Sequence, residues 1–224
     1  MNEKKVPVLT IDGPSGAGKG TIAQMLALDL KWNILDSGAL YRTLAYFMLE
    51  KDIELRQFEE KKEYIKKNFM VKFDPGTAGE PVKVIFNNTD ITKEVRTEEI
   101  AKKTSDLAAD PIIREFIKPC QRDFMKKPGL IADGRDMGTV IFRDAKYKIF
   151  LTASLEERAK RRKVQLKRQG TEVNMRLLLQ ELEDRDKKDI ERKHSPLKPA
   201  SDSVIIDTSN LKPEGVVEEI KKNL

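Results

Sequence analysis

The sequence predicts an α/β fold: a parallel sheet of five strands with helices on both faces, carrying a small antiparallel β insert. Three observations lead there. Short apolar runs rich in β-branched residues alternate with segments whose apolar residues recur at helical spacing. A glycine-rich turn separates the first such run from the first helical segment. Between residues 70 and 95 the texture changes to alternation punctuated by turn residues, the mark of antiparallel strands.

In chain order, Val6 to Ile11 is a buried strand, with Pro7 tolerable only near its start. Gly13 to Gly20 is the glycine turn, and Ile22, Met25, Leu26 and Leu30 place a helix after it. Ile34-Leu35-Asp36 is a second strand, and Ser37 is expected to cap the next helix. Residues 55–68 read as a charged helix. Val71-Lys-Phe73 and Val82 to Phe86 alternate, with turns at Asp74-Pro-Gly and Asn87 to Asp90. Helical patterns return over 97–126. Leu130 to Asp133 and Lys148 to Leu151 are further buried strands. Charged helices fill 154–192, broken near Gly170; Ser203 to Asp207 is the fifth strand, and 213–223 a closing helix.

Composition bounds the function. A chain of 224 residues holds one well-filled core plus a modest insertion. No apolar run approaches the roughly 20 residues needed to cross a bilayer, and the N-terminal stretch is too short for a secretory core. A single cysteine, Cys120, forms no intrachain disulfide and fits a reducing compartment. A single histidine, His194, excludes sites that need two. These features place the chain in the cytoplasm. The net charge of +6 favours anionic partners, but 43 basic residues against 37 acidic ones prove little alone. The run Arg158-Ala-Lys160-Arg161-Arg162-Lys163, with Lys167 and Arg168, has no acid inside it.

The sharpest motif is Gly13-Pro14-Ser15-Gly16-Ala17-Gly18-Lys19-Gly20-Thr21, set between a strand and a helix. Glycines let the backbone curl until several N–H groups face one phosphate, the helix N-terminus adds positive potential, and Lys19 reaches the β/γ oxygens. This is the phosphate loop of an ATP-binding sheet, with one departure: Gly20 stands where a Ser or Thr normally ligates Mg²⁺. That departure argues against GTPases and motor ATPases.

The loop resembles that of the nucleoside monophosphate kinases, where Gly-Lys-Gly-Thr is the usual ending and Mg²⁺ is held largely through water and nucleotide oxygens. By that resemblance Asp133 is the outer partner of such a water, with no direct protein ligand. Within that superfamily the chain resembles the bacterial cytidylate kinases nearly end to end. Ile11 through Thr21, Leu35 through Arg42, Gly129 through Thr139 and Arg185 through Pro196 carry the likeness. The insert at 70–95 resembles the extra sheet that separates this family from adenylate kinases.

The resemblance implies transfer of the γ-phosphoryl group of ATP to CMP or dCMP. Its site residues map onto Ser37, Arg42, Ser105, Arg114, Arg135, Asp136, Arg185, Asp189 and Arg192 for the acceptor. Asp136 and Ser105 face the cytosine amine, Arg114 faces N3 and O2, and Arg185 and Asp189 serve the ribose. Arg42, Arg135 and Arg192 gather at phosphate, where a planar guanidinium binds two oxygens at once. Taken singly, each of these is an ordinary surface arginine; inside the motifs they converge. Lys19, Arg135, Arg158, Arg161 and Arg162 are the catalytic candidates, the last three unranked on a mobile lid. The resemblance divides the chain into a core (1–36, 97–153, 193–224), an acceptor-binding insert (about 37–96) and a lid (about 154–192). It implies ATP and Mg²⁺ as cofactors and a monomer that binds neither nucleic acid nor membrane. UMP or shikimate as acceptor, and a basic nucleic-acid-binding protein, remain the alternatives.

Overall fold

The computed structural model describes residues 6–224 apart from 169 and 171; residues 1–5 and the side chain of Arg168, named in the basic run, lie outside the described residues. The first strand, β1 (Val8–Asp12), is buried throughout, and starts beyond Pro7, which has no N–H for a ladder. The helix α1 (Lys19–Leu30) follows the glycine turn, then β2 (Asn33–Asp36) and α2 (Ser37–Glu50). A 3₁₀ turn at Leu55–Gln57 opens α3 (Phe58–Asn68), and β3 (Val71–Asp74), β4 (Lys83–Phe86) and β5 (Thr89–Asp90) form the antiparallel insert. Next come α4 (Glu98–Ala109), α5 (Pro111–Arg122), β6 (Leu130–Gly134) and a π-helical turn at Met137–Ile141. β7 (Tyr147–Thr152), α6 (Leu155–Arg168), α7 (Met175–Glu191), β8 (Val204–Asp207) and α8 (Pro213–Lys221) complete the chain.

The five long-range strands form a parallel sheet in the order β2-β6-β1-β7-β8. One face carries α2 and α5 through Leu40, Leu44, Phe47, Ile113 and Ile117. The other carries α1 and α8 through Ile22, Leu26, Val216 and Ile220. Double coverage explains why the central strands read as unbroken apolar runs. In register, Ile11 and Asp36 both lie beside Asp133. The carboxyl ends of β1, β2 and β6 therefore form one rim, where ligands of open α/β sheets bind. Among the described residues no helix is long and apolar enough to cross a membrane.

Three local expectations change. Asp36, not Ser37, caps α2: its carboxylate accepts from the Ala39 N–H at 2.8 Å, while Ser37 is the first helical residue. A carboxylate competes well for that post because it also meets the positive end of the helix dipole. The helical stretch over 97–126 breaks at Asp110, whose side chain accepts from the Ile112 N–H at 2.8 Å. The following Pro111 forbids continuation of α4 and opens α5. The turn expected at 87–90 is confined to Asn87 and Asn88, both left-handed, and Thr89–Asp90 returns as a third short strand. Asparagine tolerates that backbone region.

Gln24, on α1, donates its side-chain amide to the carbonyls of Pro75 (2.6 Å) and Glu80 (2.8 Å), tying the insert to the phosphate-loop helix. The paired helices α6 and α7 bury a small core of their own, Ala159 and Leu166 against Leu178 and Leu182.

Candidate active site

The phosphate loop joins the end of β1 to α1. A Cβ on Gly13 would stand 2.1 Å from the Leu151 carbonyl oxygen, so only glycine lets the chain leave β1 against β7. Gly18 caps α1 with a left-handed backbone and no side-chain bond, leaving the first N–H groups open to an anion. Lys19 is buried, and its Nζ donates to the Pro14 carbonyl at 3.0 Å. Burial, and then the Arg135 charge, push its pKa below the usual lysine range, while Asp133 opposes them. Burial likewise pushes Asp133 up, against the pull of Lys19. A Cβ on Gly20 would lie 3.5 Å from Asp133 Oδ2, so the missing hydroxyl and the buried carboxylate share one spot. Among the described residues no group of three or more potential ligands gathers. That donor set suits Mg²⁺, which keeps its waters and binds through one or two carboxylates plus substrate phosphates.

Beyond Lys19 opens a cavity of about 580 Å³, the size of a small-molecule site. It is lined by every acceptor residue expected from the sequence: Ser37, Arg42, Ser105, Arg114, Arg135, Asp136, Arg185, Asp189 and Arg192. At its inner wall Arg114 and Asp136 form a buried ion pair. Arg114 also donates to the Ala108 carbonyl at 3.1 Å and lies 5.9 Å from the centre of the Tyr41 ring. Ser37 accepts from the Gln121 amide at 2.8 Å. Arg42 donates to the Val95 carbonyl at 3.0 Å, holding α2 against the turn at Glu94–Arg96. Across the cavity, Arg135 Nε donates to Asp189 Oδ2 at 2.9 Å, and Arg192 Nη1 lies 3.6 Å from Asp189 Oδ1.

Electrostatically the cavity is short of negative charge. Burial, followed by repulsion from Arg135, lowers Arg185 to about 10. Burial and then Arg114 lower Arg192, whose Nη2 is buried without a partner. Burial also lowers Arg42. A doubly charged anion among these guanidiniums relieves their repulsion and supplies the missing acceptors.

The three arginines of α6 part company. Only Arg162 lines the cavity, its Nη2 2.9 Å from Glu98 Oε1. Arg161 turns to Thr208, donating to Oγ1 at 2.9 Å. Arg158 is buried beneath the phosphate loop, donating to the carbonyls of Ser15 and Ala153, each at 3.1 Å, and paired with Asp186 at 2.6 Å. Sequence reasoning gave no part to Asp186, Gln121 or Tyr41. Asp186 and Tyr41 lie inside the motif stretches and Gln121 outside them, but the partners that give Asp186 and Gln121 a part, Arg158 and Ser37, are far away in sequence.

The family model described as cytidylate kinase matches residues 9–224. Cytidylate kinase of Pseudomonas aeruginosa (strain LESB58) is 46% identical over 96% of this chain and 93% of its own. That of Shewanella putrefaciens (strain CN-32 / ATCC BAA-453) is 50% identical over 92% of this chain and 89% of its own. Among solved structures, an uncharacterized protein from Eubacterium ventriosum ATCC 27560 covers 97% of both chains with TM-score 0.50 at 16% identity, a likeness of fold alone. With its phosphate loop, its arginine-lined cavity and a match over nearly its whole length, this chain belongs to the cytidylate kinase family.

Proposed function

We propose that the chain transfers the γ-phosphoryl group of ATP to CMP or dCMP, giving CDP or dCDP and ADP. The observation that carries this reading is the single cavity running from Lys19 to the buried Arg114–Asp136 pair. The first end suits a triphosphate and the second a base that offers an amine beside two acceptors. Cytosine gives its amine to Asp136 and Ser105 and its N3 and O2 to Arg114. Arg185 and Asp189 take the ribose, while Arg42, Arg135 and Arg192 hold the acceptor phosphate.

An acceptor phosphate oxygen attacks the γ-phosphorus, and the bond to the β–γ bridging oxygen breaks, with ADP leaving. The attacking oxygen is already an anion, so no strong general base is needed. Catalysis rests on alignment and on charge aimed at the equatorial oxygens. Lys19, Arg135 and Arg162 supply that charge from three elements. Arg158 and Arg161 act one step back, bracing the loop. Mg²⁺, held by nucleotide oxygens with Asp133 reaching it through water, would neutralise charge on the β- and γ-phosphates.

The same reading divides the chain into a core, an acceptor-binding insert and a lid made of α6 and α7, whose separate apolar core supports its moving as a unit. We place the enzyme in the cytoplasm as a monomer acting on free nucleotides, a view supported by the half-buried lone Cys120. The test is ADP release with ATP and each of CMP, dCMP, UMP, AMP and shikimate, beside filter binding to DNA and RNA across a salt series. CMP and dCMP as preferred acceptors support the proposal. Release with shikimate alone, or tight salt-sensitive nucleic-acid binding without turnover, would replace it.

A further inference from the structure

Asp12 closes β1, one residue before the phosphate loop, and nothing in the reaction described above uses it. It is buried, at 4% exposure, and both carboxylate oxygens are taken by main-chain donors from the turn that follows the neighbouring strand β6. Oδ1 accepts from the Met137 N–H and Oδ2 from the Gly138 N–H, each at 2.8 Å. Those N–H groups open the π-helical turn at Met137–Ile141, where they have no helical acceptor of their own. Meanwhile Asp12 lies in ladder register with Gly134 at the end of β6. The chain is thus fixed to Asp12 at Gly134 and again at Met137. Only Arg135 and Asp136 lie between the two anchors. They are the two residues of this segment that face the acceptor.

The fit around this anchor is close. A Cβ on Gly138 would stand 2.9 Å from Thr10 Oγ1 and 3.4 Å from Asp12 Oδ2, so the turn is pressed against β1. A carboxylate is costly to bury unless its oxygens are satisfied, and here two backbone donors do so. Burial still dominates and pushes its pKa up to about 6. The phosphate loop and the base-reading segment therefore share one support.

We propose that Asp12 is a positioning residue for base selectivity: through its bonds to the Met137 and Gly138 amides it sets where Asp136 meets the cytosine amine. The inference rests on the cytidylate reading of the cavity. Asp12→Asn keeps the size but turns an N–H₂ toward one of two N–H donors, so at least one anchor is lost and the span shifts. A displaced Asp136 costs CMP a charge-assisted hydrogen bond that UMP never had.

The experiment measures kcat/KM for CMP and UMP at saturating ATP in four enzymes: wild type, Asp12→Asn, Asp136→Asn and the double variant. The UMP/CMP ratio should rise at least ~5-fold in Asp12→Asn, since losing such a bond is worth roughly 10-fold or more when complete. In the Asp136→Asn background the same change should leave the ratio within about 2-fold, because the two residues act in series. KM for ATP should stay within about 3-fold of wild type. An unchanged ratio in Asp12→Asn, or an equal rise in both backgrounds, overturns the proposal. A general structural lesion lowers CMP and UMP turnover alike and counts as an unchanged ratio. If Asp12→Asn does not fold, Gly138→Ala pushes the same turn away from Thr10 and Asp12 and must give the same pattern. Wild-type enzyme that ignores CMP, or prefers UMP, refutes the acceptor reading itself and is seen before any variant is made.

Discussion

The Nη1 of Arg158 donates to the carbonyl oxygen of Ser15 at 3.1 Å, so a residue of α6 holds the crest of the phosphate loop. The same guanidinium pairs with Asp186, and Asp186 stands on α7 between Arg185 and Asp189. One buried cation thereby links the phosphate loop to a helix that lines the cavity. Arg158→Ala leaves the half-buried Asp186 without its cation, a loss that approaches the ~3–5 kcal/mol of a fully buried pair broken on one side. We expect a clearly lower melting temperature and a raised KM for ATP, read by thermal unfolding and initial rates. Unchanged melting would show that the contact does not support the loop.

Lys19→Ala should leave the fold intact and lower kcat by at least ~10²-fold, as expected for a preorganised charge acting mainly in the transition state. Steady-state rates and a far-ultraviolet spectrum decide it. A variant that keeps more than a tenth of wild-type kcat would remove Lys19 from the chemistry.

Arg162 and Glu98 should behave differently when changed one at a time. Arg162 lines the cavity and its partner Glu98 is well exposed, and an exposed pair is worth at most about 1 kcal/mol. Glu98→Gln should therefore change kcat/KM by less than about 5-fold. Arg162→Ala removes a charge from the reaction path and should lower kcat by at least ~10-fold. Equal effects would mean that the contact, rather than the charge, is what counts.

Asp133 gives the pH dependence. Burial raises its pKa to about 7, with Lys19 opposing and Asp36 adding to the rise. A carboxyl raised on folding stabilises the protein below its unfolded pKa, near 4, and loses that contribution as pH rises through the folded value. Free wild-type enzyme should thus lose stability relative to Asp133→Asn between pH 4 and 7. Urea unfolding of both across that range measures the difference, and a constant gap would contradict the shift. The same variant should need several-fold more Mg²⁺ for half-maximal rate, with KM for CMP unmoved.

Much of this was legible in the sequence because the signals are local. Gly13 to Thr21 announces its own geometry, and the apolar runs at 8–12 and 130–134 declare strands covered on both faces. Asp136, Arg185 and Arg192 inside the motifs, and Arg114 outside them, could be named from residue type and family likeness, and all four line the same cavity. Ser37 has the residue type of a cap, but the backbone turns one residue earlier and gives that post to Asp36. The break at Asp110 was written as an aspartate before a proline, but the surrounding helical period masked it. What one sequence does not carry is contact between distant residues. Arg158 reads as one cation in a basic run until Ser15 and Asp186 are seen around it. Asp12 reads as the last residue of a strand until the Met137 and Gly138 amides turn toward it.

If the buried Arg114–Asp136 pair reads the base, Asp136→Asn must change which base the enzyme prefers. Cytosine gives its amine to the carboxylate, whereas uracil presents an oxygen there and an N–H toward Arg114. One such mismatch, at ~1.5–3 kcal/mol, is roughly 10- to 150-fold in kcat/KM. An asparagine can turn its amide and donate to that oxygen. The measurement is kcat/KM for CMP and UMP at saturating ATP in wild type and variant. CMP should suffer more than UMP, so the UMP/CMP ratio rises; a ratio that stays put or falls would mean that Asp136 does not read the base.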